Sequence, residues 1–424
     1  MIELLVANNK NRIYSLPSLA PAGMKAGFFY HIGHKDLIPL PNGSELFLLP
    51  DRPAVGYEKS SGSFLSPAED LFAVSAFVSP GFTVTYNPAY LKNPKAKTLP
   101  LFSYAVVCSY KGKLYVTAKR VDRELRQDIS LMDVSLIKKN VKAFKILFSE
   151  NRLMRHLERC ALCYSCPAAK NFFLKRYEAP LPTSPTCNAR CVGCISYQSD
   201  KGCAITQPRI NFIPTPQEIA EVAIFHIQNV DDPVVSFGQG CEGEPLLVAD
   251  TIEKAIILIR EATKRGIINL NTNASRPRSL KKLFNAGLDS IRVSLNSVQK
   301  KYYDRYYRPK SYEFKDVIES IKIAKKKNRF VSLNYFVFPG FTDERCEFSK
   351  FKKFLHKYHI DMVQLRNLNI DPTYYTKSIG YKAIEGDLLG IDNVISSLKR
   401  DFPKVMLGYF NPPKNRMRRF KLKI

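Results

Sequence analysis

The chain is short of several things, and each shortage excludes a class of protein. No run approaches 18 uninterrupted apolar residues, so no membrane-spanning helix is expected. The start, Met1-Ile2-Glu3-Leu4-Leu5, lacks a basic segment followed by a long apolar core, so no secretory leader is expected either. Ten cysteines in 424 residues then do not read as a disulfide framework, which belongs to small secreted domains. A cytoplasmic protein is the expectation. Acids are scarce as well: 38 Asp and Glu stand against 65 Lys and Arg, a formal charge of +27. Such an excess attracts phosphate backbones and acidic partners, but no RNA-binding signature accompanies it and lysine is scattered along the chain. A solvated lysine-rich surface is the plainer reading, and RNA stays open as a substrate. The densest basic run is terminal, with Lys414, Arg416, Arg418, Arg419, Lys421 and Lys423 uninterrupted by an acid.

What is present is an uneven set of cysteines. Six fall between Cys160 and Cys194, with Cys108, Cys203, Cys241 and Cys346 dispersed. Clustered cysteines in such a chain read as metal ligands. Cys187, Cys191 and Cys194 form a C-x₃-C-x₂-C run that can wrap three thiolates around a cubane iron–sulfur cluster, leaving one iron open for a ligand that is not protein. Structural zinc wants four closed ligands, and no fourth lies nearby in sequence. Cys160, Cys163 and Cys166, followed by Pro167, form a C-x₂-C-x₂-C run similar to ferredoxin loops but lacking their fourth cysteine. They are candidate ligands of a second, auxiliary cluster, with Cys203 as its candidate fourth ligand; the same spacing also sets three thiols along a helix face. Cys241 reads as a small, inert residue of a tight turn, and Cys108 and Cys346 as structural.

The organisation is that of an α/β protein. Residues 1–130 hold short apolar runs punctuated by turns and form a β-rich N-terminal domain, with a hairpin predicted around Lys111-Gly112. Residues 131–180 turn helical and carry the second cysteine group. Over 181–375, strand patterns (181–186, 234–237, 267–271, 290–295, 331–337, 362–365) alternate with helical ones (216–228, 249–264, 278–286, 314–326, 344–358). Six such units predict a (β/α)6 partial TIM-type barrel, with functional groups at the carboxyl ends of its strands. Pro180, Pro182 and Pro185 put the first strand at an edge, which suits an open barrel. Residues 376–424 read as an extension with a basic tail.

The cysteine run at 187–194, at the end of a first strand, resembles the radical S-adenosylmethionine (SAM) enzymes over roughly residues 180–370. The resemblance implies that Cys187, Cys191 and Cys194 bind a 4Fe–4S cluster whose fourth iron is chelated by SAM. One electron from the cluster would then split SAM into methionine and a 5′-deoxyadenosyl radical that abstracts hydrogen from a substrate. Gly243-Glu244-Pro245 is similar to the family's motif at the second strand, so Glu244 would meet the SAM amino group and Gly243 would give backbone access. Thr272, Ser294 and Asn296 become candidates for SAM contacts, though local capping accounts for them equally well. Many members carry an aromatic residue before the third cysteine; Gly193 stands here, leaving Ile195 or Tyr197 to contact adenine. Gln364, Arg366 and Asn367 point to the site or its rim. A small electron donor such as ferredoxin or flavodoxin is implied. The substrate is not identified, and the absence of cysteine after Cys346 excludes a cysteine-rich C-terminal domain for peptide maturation. Two alternatives stay open: an RNA- or tRNA-modifying, methylthiotransferase-like enzyme with its auxiliary cluster at 160–166, and a non-catalytic iron–sulfur protein.

Overall fold

The computed structural model of the chain describes residues 2–198 and 203–417. Most of the terminal basic run therefore lies outside the described residues.

Seven parallel strands form the main sheet: Glu178–Pro180, Val234–Phe237, Ile267–Thr272, Ser290–Leu295, Phe330–Val337, Met362–Asn367 and Met406–Gly408, adjacent in chain order. Strands covered on both faces are buried throughout, and Val234–Phe237 and Ile267–Thr272 are buried at every position, with Ser236, Asn269, Asn271 and Thr272 as their polar members. The connecting helices start where their capping residues say they should. Pro216–Asn229 opens on a Thr215/Glu218 capping box with Pro216 in its first turn. The curled sheet is the expected partial barrel with one strand more. Met406–Gly408, from the stretch read as an extension, pairs with Met362, Val363 and Gln364; three residues between Pro403 and Asn411-Pro412-Pro413 carry too little periodicity to be seen. The first strand also lies just upstream of its expected place, at Glu178–Pro180. Residues 181–186 run on as extended chain, held to the second strand by Leu181 N donating to Ser236 O at 2.8 Å, because their prolines cannot supply a continuous ladder.

The barrel interior is layered. Tyr177, Val234, Ile267, Phe330, Met362 and Met406 close the amino ends of the strands with an apolar floor. Above it lies a polar layer centred on Asn411, whose Nδ2 donates to Glu178 Oε1 at 2.8 Å and Ser236 Oγ at 3.2 Å, while its Oδ1 accepts from Gln364 Nε2 at 3.0 Å. The layer is capped by Arg292, bonded to Gln364 at 3.1 Å, and by Arg366, whose guanidinium lies 4.3 Å from the centroid of the Tyr409 ring.

The N-terminal region is antiparallel. The predicted hairpin is present as Ala105–Tyr110 and Lys113–Val116, turning on Lys111 and Gly112, both in the left-handed region. This region is fastened to the sixth barrel strand and to the segment just after that strand: Thr83 Oγ1 donates to Leu365 O at 2.7 Å, Asn367 Oδ1 accepts from Val84 N at 2.8 Å, and a fully buried Arg52–Asp371 ion pair closes at 2.8 Å. Asn367 thus serves the junction and not the site rim. No helix among the described residues is long and apolar enough to cross a membrane.

Candidate active site

The cysteine loop leaves the first strand and is clamped from three directions. Toward the second strand, Gly243 N donates to Ser184 O at 2.6 Å and Glu244 N to Thr186 O at 2.8 Å. A Cβ on Gly243 would sit 1.8 Å from Thr186 O, so only glycine permits this approach. Toward the third strand, Asn188 Nδ2 donates to Ser275 Oγ at 3.0 Å and its Oδ1 accepts from Asn273 Nδ2 at 2.8 Å. Toward helix Lys300–Tyr307, Arg190 N and Val192 N donate to Tyr307 O and Tyr306 O, both at 2.9 Å.

Within this frame Cys187, Cys191 and Cys194 are each half-buried. Burial pushes the Cys187 thiol up to about 11, with the Glu244 charge adding to it, and holds Cys191 well above the ordinary thiol range, with Cys194 and Cys187 adding. Arg209 stands at the third thiol, Nη2 3.5 Å from Cys194 Sγ, and its Nε donates to Ser196 Oγ at 3.1 Å. Thiols so raised become thiolates only against positive charge, which is what a metal cluster provides. Three soft donors on one loop beside a guanidinium fit a cubane held at three corners.

Glu244 is buried at the edge of this loop. Its Oε1 accepts from Thr272 Oγ1 at 2.5 Å and Leu246 N at 3.1 Å, and its Oε2 from Asn273 N at 2.8 Å. Burial wins over these bonds and raises the carboxyl to about 7. Thr272, a candidate for a SAM contact, donates to Glu244. Ser294 is half-buried and in register with Asn334. Asn296 is buried; its Nδ2 bonds Tyr375 Oη and Tyr302 O, both at 3.3 Å, and its Oδ1 has no partner. The structure therefore brings Cys187, Cys191, Cys194, Gly243, Glu244 and Thr272 into one site.

Three residues the sequence reading passed over matter here. Glu242 is the hub of the Gly-rich turn: its Oε2 accepts from Thr183 N at 2.7 Å, Thr183 Oγ1 at 3.0 Å and Ser184 N at 3.0 Å, and its Oε1 from Gly238 N at 2.7 Å and Gln239 N at 2.6 Å. Only its place in a Glu-Gly-Glu run, beside the singled-out Glu244, could have flagged it. Asn188 fastens the cysteine loop, and nothing in sequence links it to Ser275. Tyr306 explains Gly193: a Cβ there would lie 2.9 Å from the Tyr306 hydroxyl, so this buried ring fills the space. Tyr197 is exposed with Arg209 over its ring, and Ile195 packs toward Gly240.

The second cysteine group is not gathered as expected. Helix Arg152–Leu162 buries Leu153, Met154, Leu157 and Cys160 along one face, and Cys163, beyond its last residue, is exposed. The Cys203 thiol donates to Leu99 O at 3.4 Å, beside the N-terminal region. Cys160 instead meets His156 Nε2 at 3.4 Å and lies close to Cys241, which the sequence presented as an inert turn residue. These contacts join Cys160 to His156 and Cys241, and Cys203 to Leu99.

Residues 181–351 match the family model of the Radical SAM superfamily. They form a radical SAM domain. An uncharacterized protein of Methanocaldococcus jannaschii is 33% identical over 101 residues, covering 24% of this chain and 34% of its own length, so the chain spans about a third of that curated relative. Among solved structures, methylornithine synthase is similar at 17% identity and a TM-score of 0.40, over 64% of this chain and 77% of that one. The FeFe-hydrogenase maturase from Carboxydothermus hydrogenoformans is similar at 12% identity and a TM-score of 0.39, over 71% of this chain and 75% of that one.

Proposed function

We propose that the chain is a radical SAM enzyme in which Cys187, Cys191 and Cys194 hold one 4Fe–4S cluster and Glu244 receives the amino group of SAM. When bound, cluster and SAM supply a one-electron cleavage that yields methionine and a hydrogen-abstracting 5′-deoxyadenosyl radical. The chain's own residues do the rest. Glu242 holds the Gly238–Glu244 turn against residues 183 and 184, Asn188 ties the cysteine loop to the third strand, and Thr272 and Asn273 aim the Glu244 carboxylate. An ionised carboxylate there accepts a charge-assisted bond from an ammonium on its remaining lone pairs. Ser294 and Asn296, at the carboxyl end of the fourth strand, are left as contacts for the rest of SAM. The apolar floor excludes water from below, and Arg292 and Arg366 above it suit a substrate carrying an anionic group. The net charge of +27 favours docking of an acidic one-electron donor of ferredoxin or flavodoxin type, in the cytoplasm.

The observation that carries this reading is the pairing of residues 184–186 with 243–244, which sets three thiols and a buried carboxyl side by side at strand ends. A non-catalytic iron–sulfur protein has no use for that carboxyl. The test is iron per chain and 5′-deoxyadenosine formation after anaerobic reconstitution, for wild type and for Cys187→Ala/Cys191→Ala/Cys194→Ala. About four irons and SAM cleavage, both lost in the variant, are expected. An iron content that the three substitutions do not lower overturns the assignment.

A further inference from the structure

Away from the cysteine loop, soft donors converge from separate elements. His156 and Cys160 lie one turn apart on helix Arg152–Leu162, and Cys241 comes from the turn after the second barrel strand. Their ligand atoms all lie within 4.8 Å of one another, and His156 Nε2 stands 3.4 Å from Cys160 Sγ. Zinc–sulfur bonds of about 2.3 Å and zinc–nitrogen bonds of about 2.0–2.1 Å at a tetrahedral angle put two such donors about 3.5 Å apart. A cubane sets each thiolate on a different iron and needs its ligands more widely spread. Cys160 and Cys241 are 2% and 3% exposed, so both thiols are held out of solvent, with the His156 ring hydrogen-bonded to the first. Cys166 lies outside this group of three ligand atoms but in the same loop, its backbone N donating to Cys160 O at 2.9 Å.

We propose that His156, Cys160 and Cys241 form a site for a single tetrahedral metal ion of the zinc class, which Cys166 closes by turning its thiol in as the fourth ligand. It staples the helical bridge to the turn that carries Glu242 and Glu244. Its donor set, one imidazole and three thiols, is that of a closed structural zinc site and leaves no position for a substrate. Cys163, though next in the sequence motif, is not a ligand.

The proposal does not depend on the cluster assignment, and its test removes that cluster. The full chain carrying Cys187→Ala/Cys191→Ala/Cys194→Ala is purified anaerobically and loaded with Zn²⁺ alone. About one zinc per chain should survive exchange against a weak chelator; further substitution by Cys241→Ser or His156→Ala should lower retention roughly tenfold or more, and Cys163→Ser should leave it unchanged. Should the further variants fail to fold, Co²⁺ loaded into the parent reports on the site directly, because tetrahedral thiolate ligation gives an intense sulfur-to-cobalt absorption. A folded parent that retains no zinc and shows no such band overturns the proposal. So does zinc lost with Cys163→Ser but kept with Cys241→Ser, or a site that takes up several irons with sulfide.

Discussion

Replacing Glu244 by Gln separates its ionisation from everything else the site does. The carboxyl titrates near 7 in the fold against an ordinary 4.5, and burial is the cause. A carboxyl raised by folding binds its proton more tightly in the native than in the unfolded chain. Its contribution to stability is therefore complete below pH 4.5 and is lost as pH rises through 7. Between pH 5 and pH 8 those two values correspond to a loss of about 2–3 kcal/mol in the wild type, and Glu244→Gln has no such loss. The absolute stability of the variant is less telling, because its amide nitrogen faces either Asn273 N or the pair Leu246 N and Thr272 Oγ1, leaving a donor unmet at a cost of about 1–3 kcal/mol. The pH slope of the difference is free of that constant. Buried titrating groups common to both chains, such as His226, cancel in it. Denaturant unfolding of the metal-free proteins at several pH values reads it out. In the reconstituted protein, SAM affinity should fall about tenfold per unit below pH 7 for wild type and stay flat for the variant. Parallel stability curves, or normal SAM cleavage by Glu244→Gln, would refute the reasoning.

Two other substitutions probe the frame of the site. Glu242→Ala strands three buried donors, at about 1–3 kcal/mol each, and two half-buried ones, on the order of 5 kcal/mol in all. The expected result is little soluble folded protein, with Glu242→Gln intermediate in melting temperature; an Ala variant that melts like wild type refutes the hub role. Gly193→Ala presses on the Tyr306 hydroxyl at 2.9 Å and should cost about 1–3 kcal/mol. Tyr306→Phe in the same chain should recover most of it, and a double-mutant cycle that proves additive shows that the two do not meet.

The barrel was legible because its strands and helices obey short-range rules. Val234–Phe237 is apolar at every position but Ser236, and Pro216–Asn229 announces its start with a capping box. The seventh strand was not legible, since Met406–Gly408 takes its identity from the neighbour it pairs with. The C-x₃-C-x₂-C run and Gly243-Glu244 could be read as belonging to one site because each part is contiguous in the chain. What lay between them could not. Glu242, Asn188 and Tyr306 act through bonds and contacts between residues far apart in the chain: Ser196 to the Glu242 carbonyl, Asn188 to Ser275, Gly193 to Tyr306, Val192 to the Tyr306 carbonyl.

The cysteines divide the same way. The sequence alone determined that three thiols at 187, 191 and 194 share a loop, because close spacing constrains geometry. It also determined that the chain alternates strand and helix into a parallel barrel. It could not determine which other thiols meet. Cys160, Cys163 and Cys166 are evenly spaced, yet the helix turns the first inward and releases the second to solvent, while the second strand delivers Cys241 to the first. Spacing counts residues, whereas a ligand set is decided by which side of each element faces the core. Only the packed tertiary structure sets that.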